Sequence, residues 1–198
     1  MNLRRRERAD FKVIAGWIRP GARILDLGCG DGTLLRYLSE QRSTSGYGVE
    51  IEDERVLACL QGGVNVIQGD LDRGLSDFAD GSFNYVILSQ TLQAVKSSER
   101  VVKEMLRVGR EGIVTFPNFG YWRNRTQILR GRMPVSDSLP YQWFDTPNIH
   151  LCTTTDFEAF CDSHGVRILE RIVMTGDKVV NLLPNLLGSL AVYRFERA

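Results

Sequence analysis

A glycine-rich turn bracketed by two acids is the part of this sequence that points most directly to chemistry. Residues 24–33 read ILDLGCGDGT, with Gly28, Gly30 and Gly32 in the spacing G-x-G-x-G. Glycines that follow a buried strand let the backbone approach a ligand closely. Dinucleotide-binding folds place G-x-G-x-x-G there and bind a pyrophosphate. In this chain Asp26 and Asp31 bracket the turn, and their charges disfavour a phosphate and favour a cationic ligand.

Two further acids are predicted to reach the same crevice. Glu50 ends the second predicted strand, and Asp70 follows the third. Ligands of open α/β sheets bind at the carboxyl ends of the strands, where Glu50 can accept from ribose hydroxyls and Asp70 from an adenine amino group. S-adenosylmethionine carries no phosphate but has a sulfonium and an ammonium group. The acids therefore predict a site for that molecule or S-adenosylhomocysteine; the alternative is that they only cap helices and the glycines only form turns.

Strands and helices must alternate along the chain to bring these acids together. Apolar runs predict five strands, at 23–27, 46–51, 64–70, 83–89 and 111–116. Helical spacing of apolar residues, with glycine and proline stops, predicts helices between them, at 7–18, 33–41, 53–63 and 97–109. This alternation is typical of a doubly wound α/β fold, whose parallel sheet is covered on both faces.

The C-terminal part of the chain is predicted to differ. Thr155 and Glu158 have the spacing of a capping box that would begin a helix, and Gly165 would end it. Two late strands follow, at 166–174 and 189–197, and their short connection predicts an antiparallel hairpin. The chain is thus expected to form one domain, 1–198.

Over about residues 10–116 these motifs resemble the class I S-adenosylmethionine-dependent methyltransferases. The resemblance implies a Rossmann-like, seven-stranded, mostly parallel sheet with an antiparallel C-terminal strand. It also implies that the segment after the fourth strand holds the methionine part of the cofactor. The expected cofactor-binding residues are Asp26, Gly28, Cys29, Gly30, Asp31, Gly32, Glu50, Ile51, Asp70, Leu71, Ser89 and Gln90.

No catalytic group is apparent in the sequence. Methyl transfer from a sulfonium is a displacement that depends mainly on positioning and desolvation, so a soft nucleophile needs no acid or base. The missing base therefore does not exclude methyl transfer, but it leaves the acceptor unidentified.

The segment 117–155 is predicted to be an insertion that forms a lid or acceptor wall over the crevice. Tyr141 and Trp143 supply apolar area, while Asp145 and His150 supply polar groups. Prolines within the segment stiffen it by fixing φ. The alternative for His150 is a structural one, in which it only pairs with a buried backbone group.

Three runs in and before this segment resemble the MetW family of methionine-biosynthesis proteins: RVGREGIVTFPNFGYW, RGRMP and LPYQWFDTPNIHLCT. The resemblance extends over essentially the whole chain. It implies a role in methionine biosynthesis beside the homoserine O-acyltransferase MetX, as a methyltransferase-like subunit. Because the cofactor motif is complete and no catalytic group is apparent, we hypothesise that the crevice senses S-adenosylmethionine. The alternative is a methyltransferase that acts on an unidentified small molecule.

Two surface features have several interpretations. Arg123, Arg125, Arg130 and Arg132 lie near Tyr121 and Trp122, a pattern that suits a solvated helix face, an acidic protein, RNA or an anionic substrate. The leucine-rich run 181–190 predicts either an interface, with a partner or a second copy of the chain, or a loop folded onto the sheet edge. The net charge of +1 gives no general reason to expect nucleic acid as a partner.

The remaining composition is ordinary, with 43% hydrophobic and 25% charged residues. Four cysteines without a C-x-x-C pair, and only two histidines, make a metal site improbable and favour reduced thiols in the cytoplasm. The basic N-terminus lacks the apolar core of a signal peptide, and no apolar run is long enough to span a membrane.

Overall fold

A computed structural model describes residues 8–198 of the chain. Residues 1–7, which include the first residue of the predicted first helix, lie outside the described part. One eight-stranded sheet organises the rest, with the strand order β3-β2-β1-β4-β5-β8-β6-β7. The strands are β1 Arg23–Leu27, β2 Ser45–Glu50, β3 Val66–Gln68, β4 Phe83–Ser89, β5 Gly109–Pro117, β6 Val166–Thr175, β7 Lys178–Val179 and β8 Leu190–Arg197.

The first five strands are parallel to one another, and β8 joins β5 in the antiparallel direction. The predicted hairpin of the two late strands is confirmed, because β6 pairs antiparallel with β8. The α/β doubly wound fold is therefore confirmed. The sheet has eight strands rather than seven, since the two-residue strand β7 is too short to leave a periodic signal in the sequence.

Seven α-helices accompany the sheet in the described residues. They are α1 Ala9–Trp17, α2 Thr33–Arg42, α3 Asp53–Gln61, α4 Ser98–Val108, α5 Trp122–Leu129, α6 Thr154–Ser163 and α7 Pro184–Leu187. Single turns of 3-10 helix lie at Leu71–Arg73 and Leu92–Ala94. The predicted helices before residue 117 are all present, whereas α5 and α7 were not predicted.

The helices cover both faces of the sheet, as a parallel sheet requires. Neighbouring residues of β1 point to opposite faces, so that Ile24 packs with α1, α2 and α3 while Leu25 packs with α4 and α6. Both side chains are fully buried. Two apolar layers therefore hold the strands in place and align their carboxyl ends along one edge.

The capping box of α6 is formed by other residues than the sequence predicted. Thr153 is the N-cap: its hydroxyl accepts from the Asp156 N–H, and the Asp156 carboxylate accepts from the Thr153 N–H at 2.9 Å. The prediction of Thr155 with Glu158 was therefore wrong. Aspartate at the third helical position closes the box here, which moves the start of the helix two residues earlier than the glutamate pattern suggests.

Candidate functional site

The glycine turn between β1 and α2 has the backbone conformation that only glycine adopts freely. Gly28, Gly30 and Gly32 have φ values of 70°, 58° and 72°. A Cβ atom on Gly28 would lie 2.7 Å from the side chain of Thr91, which follows β4. The Thr91 side chain therefore leaves no room for a side chain at position 28, and the turn after β1 and the segment after β4 together line the crevice.

Glu50 anchors this turn from the end of β2. Its Oε2 accepts a hydrogen bond from the Gly30 N–H at 2.8 Å. Its Oε1 accepts from the N–H groups of Ile51 and Glu52. The carboxylate is only 4% exposed. Since a carboxylate can accept about four hydrogen bonds, one position on Glu50 is left for a ligand.

Asp26 is the buried acid of the crevice. It is 2% exposed, and its Oδ1 has no hydrogen-bond partner within the described residues. Burial raises the pKa of Asp26 to about 7, the positive charge of Arg8 opposes that rise, and the charge of Glu50 adds to it. A buried acceptor without a partner destabilises the folded chain. A ligand that donates a hydrogen bond to Asp26 Oδ1 would remove that cost.

Arg8 lines the crevice and is held by the buried Asp10, and sequence reasoning missed both. The Arg8 guanidinium donates to Asp10 Oδ2 at 2.5 Å and to Ser89 Oγ at 2.8 Å. Asp10 is 1% exposed. One feature of the sequence could have revealed Asp10: it lies four residues before Ile14, on the buried face of the predicted first helix. A buried acid needs a hydrogen-bond or ion-pair partner.

The segment after β4 borders the crevice and has an uncommon backbone conformation. Gln90 has a φ of 53°, which is uncommon for a residue other than glycine, and its N–H donates to both oxygens of Thr115 in β5. Strained backbone of this kind is concentrated at functional sites. Ser89 and Gln90 both line the crevice beside Gly28.

The other predicted residues of the turn contribute in different ways. Asp31 lines the crevice and accepts from the N–H of Thr33 at the start of α2. The Sγ of Cys29 lies 3.8 Å from that of Cys59, and burial raises the pKa of the Cys29 thiol. Cys29 is 7% exposed, so its thiol packs in the interior while its backbone helps to shape the turn.

A second lobe of the crevice extends beyond β2 and β3. Asp70 Oδ1 accepts from the Asp72 N–H at 2.9 Å, and Ile51 is 57% exposed at the same wall. Leu71 packs against the core below. The two lobes have volumes of about 860 and 630 Å³ and share a border formed by Gly28, Arg55, Gln90 and Thr91. Together they exceed the size of most small-ligand pockets.

The structure separates the four predicted lid residues. Tyr141 and Asp145 line the second lobe together with Glu50. Trp143 is 72% exposed and packs edge-on against Phe144, away from both lobes. His150 lies on the far side of the Leu92–Ala94 turn, where its Nε2 is 3.1 Å from the Lys96 carbonyl oxygen.

Neither histidine of the chain lines the crevice. His164 lies at the end of α6, with its Nδ1 2.8 Å from the Phe160 carbonyl oxygen. An imidazole base is therefore absent from both lobes. No group of histidine, cysteine or acidic side chains among residues 8–198 has the arrangement of a metal site, and no helix there is long and apolar enough to cross a membrane.

The arginine-rich segment near Trp122 and the leucine-rich run 181–190 are each only partly exposed. Tyr121 is buried, while Arg123 stacks over Trp122 at 5.5 Å and Arg125 donates to the Gly120 carbonyl oxygen. In the leucine-rich run, Leu182 is 73% and Leu183 58% exposed, whereas Leu186 and Leu190 are half-buried. The run thus both folds onto the sheet edge and leaves an apolar surface at its tip.

Comparison with solved structures defines the class of the fold. An S-adenosylmethionine-dependent methyltransferase from Mesorhizobium loti superposes with a TM-score of 0.72 at 16% identity, covering 96% of this chain and 99% of that one. The cyclase SpnF superposes with a TM-score of 0.68 at 16% identity, covering 94% and 80%. The chain therefore has the class I methyltransferase fold, which proteins of more than one described activity share.

The family follows from sequence comparison. The model of the methionine biosynthesis protein MetW matches residues 8–195, and the chain belongs to that family. A protein of Rhodopirellula baltica described as bifunctional methionine biosynthesis protein MetXA/MetW is 37% identical over 95% of this chain and 32% of its own length. The chain spans about a third of the length of the curated relatives it matches.

Proposed function

We propose that this chain is a cytoplasmic methionine-biosynthesis subunit that binds S-adenosylmethionine and supports homoserine O-acylation by MetX. The observation that carries the proposal is the relative whose description joins MetXA and MetW in one protein. Two parts encoded in one chain are held at high effective concentration and are expected to work side by side. In this proposal the chain supplies the MetW part to MetX.

The first lobe of the crevice suits the amino-acid end of S-adenosylmethionine. That end carries an ammonium and a carboxylate, and the lobe offers a group of opposite sign for each. Asp26 Oδ1 lacks a donor, and Arg8 presents a guanidinium that is 40% exposed. A Cβ atom on Gly30 would meet no heavy atom within 4 Å, so the turn leaves open space at that position. We assign Asp26 to the ammonium and Arg8 to the carboxylate.

The second lobe suits the adenosine end. The free position on Glu50 can accept from a ribose hydroxyl, and Asp70 Oδ2 can accept from the adenine amino group. The exposed side chain of Ile51 supplies apolar surface for the flat base. Tyr141 and Asp145 of the segment 117–155 border this lobe, which supports the assignment of that segment as its outer wall.

The residues of the crevice support a sensing role, and methyl transfer that needs no base is the rival function. It has charged partners for both ends of S-adenosylmethionine but no imidazole to take a proton from an acceptor. We propose that S-adenosylmethionine, the end product of the pathway, binds in the crevice as a signal. Whether the crevice is occupied would then determine how far this chain raises the acylation rate of MetX.

The test is the rate of homoserine acylation by MetX alone and with this chain added, with and without S-adenosylmethionine. We expect the added chain to raise the rate and the cofactor to change that increase. Asp26→Asn, which keeps the shape of a buried side chain, should retain the support and lose the cofactor response. Asp77→Asn, at an exposed site away from both lobes, is the control and should behave as the parent. An unchanged MetX rate would refute the partnership.

A second candidate, methyl transfer to a small molecule, is favoured by the position of Tyr141 and Asp145 beside the cofactor crevice. In that case S-adenosylhomocysteine should form when an acceptor is supplied, with no need for MetX. Tyr141→Phe and Asp145→Asn should then lower turnover and leave S-adenosylmethionine affinity within about twofold. Loss of MetX support in the same variants would instead place both residues at the subunit contact.

A further inference from the structure

A second cavity lies on the other side of Gln93 from the cofactor crevice. Its volume is about 240 Å³, and its walls are almost entirely carbon. The main contributors are Leu92, Val102, Phe116, Leu151, Phe157 and Phe160. Nothing in the proposed function uses this cavity. At roughly 30 Å³ for a group of the size of a water molecule, it holds about eight methylene-sized groups.

The cavity opens beside a basic surface depression. Ser98 and His150 line both spaces, and the depression adds Lys96, Arg100 and Lys103. Lys103 is paired with Glu99 at 2.6 Å. Lys96 and Arg100 are exposed, and within residues 8–198 neither forms an ion pair.

The backbone at the start of α4 does not provide the anion site. The N–H groups of Lys96 and Ser97 both donate to Asp72 Oδ1, at 2.9 and 3.3 Å. The acids that face the depression are Glu99, which Lys103 already neutralises, and Asp156, which lies at the cavity wall within the capping box of α6. The side chains of Lys96 and Arg100 are thus the cationic groups left for a ligand.

We propose that this pair of spaces binds an amphipathic anion, with an unbranched apolar chain in the cavity and an anionic head against Lys96 and Arg100. An apolar chain matches the walls, because they offer little hydrogen bonding that a polar ligand could use in place of water. The anionic head gains charge-assisted contacts at the mouth. The shared chemistry is a chain of about eight carbons that ends in a carboxylate or a phosphate.

The first experiment is calorimetric titration of the whole chain with carboxylates of increasing length. Burial of each methylene contributes about 0.8 kcal/mol, so affinity should rise up to about fourfold for each added carbon and level off near octanoate. Octylamine, which has the same chain and the opposite charge, should bind at least tenfold more weakly than octanoate. Titration with octyl phosphate tests the nature of the anionic head. Whichever of octanoate and octyl phosphate binds with the higher affinity identifies the head group that the mouth of the cavity prefers.

Two variants test the two halves separately. Leu151→Trp fills the cavity from a side chain that is 43% exposed, so the fold should tolerate it, and it should abolish binding of every chain. Lys96→Gln with Arg100→Gln should weaken octanoate about tenfold and leave 1-octanol within twofold. Lys178→Gln, on the remote strand β7, is the matched control. Equal binding of octanoate and octylamine, or octanoate binding that survives Leu151→Trp, would overturn the proposal, as would no saturable binding by any probe.

Discussion

Glu50 Oε2 and the backbone N–H of Gly30 lie 2.8 Å apart, and this hydrogen bond ties the end of β2 to the turn after β1. The sequence placed Glu50 in the crevice as an acceptor for a ribose. The structure adds that three backbone N–H groups depend on the same carboxylate. Glu50 therefore holds the shape of the crevice before any ligand enters it.

Glu50→Ala is expected to destabilise the ligand-free chain as well as weaken cofactor binding. The change leaves buried N–H groups without an acceptor, at a cost of about 1–3 kcal/mol in the free energy of unfolding. Urea unfolding without ligand and calorimetry with S-adenosylmethionine measure the two effects. Glu54→Gln, exposed in the first turn of α3, is the control and should stay within about 0.5 kcal/mol. Parent-like stability of Glu50→Ala would show that the turn does not need this anchor.

Asp26 gives the chain a pH-dependent stability whose direction follows from its pKa. The folded chain has a pKa of about 7 at Asp26, against an ordinary value of 3.8. Between those values the folded state keeps a proton that the unfolded state has lost, so stability falls as pH rises towards about 7 and is level above it. Asp26→Asn should remove a slope of at most about 1.4 kcal/mol for each pH unit. Urea unfolding from about pH 4 to about pH 8 measures it, and parallel curves for the two proteins would contradict the assignment.

Arg8 should determine the pH above which the free energy of unfolding stops falling. Its positive charge opposes the rise in the pKa of Asp26. Arg8→Gln removes the charge, so the pKa of Asp26 should rise further and the fall in stability should extend above about pH 7. Comparing Arg8→Gln with the double variant Arg8→Gln/Asp26→Asn isolates the effect. Lys12→Gln, exposed on α1, serves as the control, and an equal shift there would mean that Arg8 acts only through net charge.

The sequence predicted the fold and the acids of the crevice because their signals are local. A glycine turn after an apolar run, and an acid at each strand end, can be recognised without knowing the distances between them. The anchoring role of Glu50 could not be predicted in this way, since it depends on how closely β2 approaches the turn. Arg8 was missed because its position depends on how α1 packs against the sheet.

The segment 137–153 shows the limit of sequence reasoning most clearly. It has no periodicity, and its path is fixed by long-range contacts such as the hydrogen bonds from the N–H groups of Ile149 and His150 to the Gln93 carbonyl oxygen. Those bonds place Tyr141 and Asp145 on one side of Gln93 and His150 on the other. Residues that are close in sequence therefore line two different cavities: Tyr141 and Asp145 line the second lobe of the crevice, and His150 lines the apolar cavity.

The start of α6 provides a direct comparison between the two capping boxes. Thr153→Ala removes the hydroxyl that accepts from the Asp156 N–H, and it should cost about 1 kcal/mol in the free energy of unfolding. Thr155→Ala removes a hydroxyl that accepts from the Asn185 side chain at the surface and caps no helix, so it should change stability by less than about 0.5 kcal/mol. The cap matters to the core because α6 carries Phe157, whose ring lies 5.1 Å from that of Phe116 at the end of β5. Urea unfolding of the two variants decides between the boxes: a larger loss of stability for Thr155→Ala than for Thr153→Ala would support the cap that the sequence suggested.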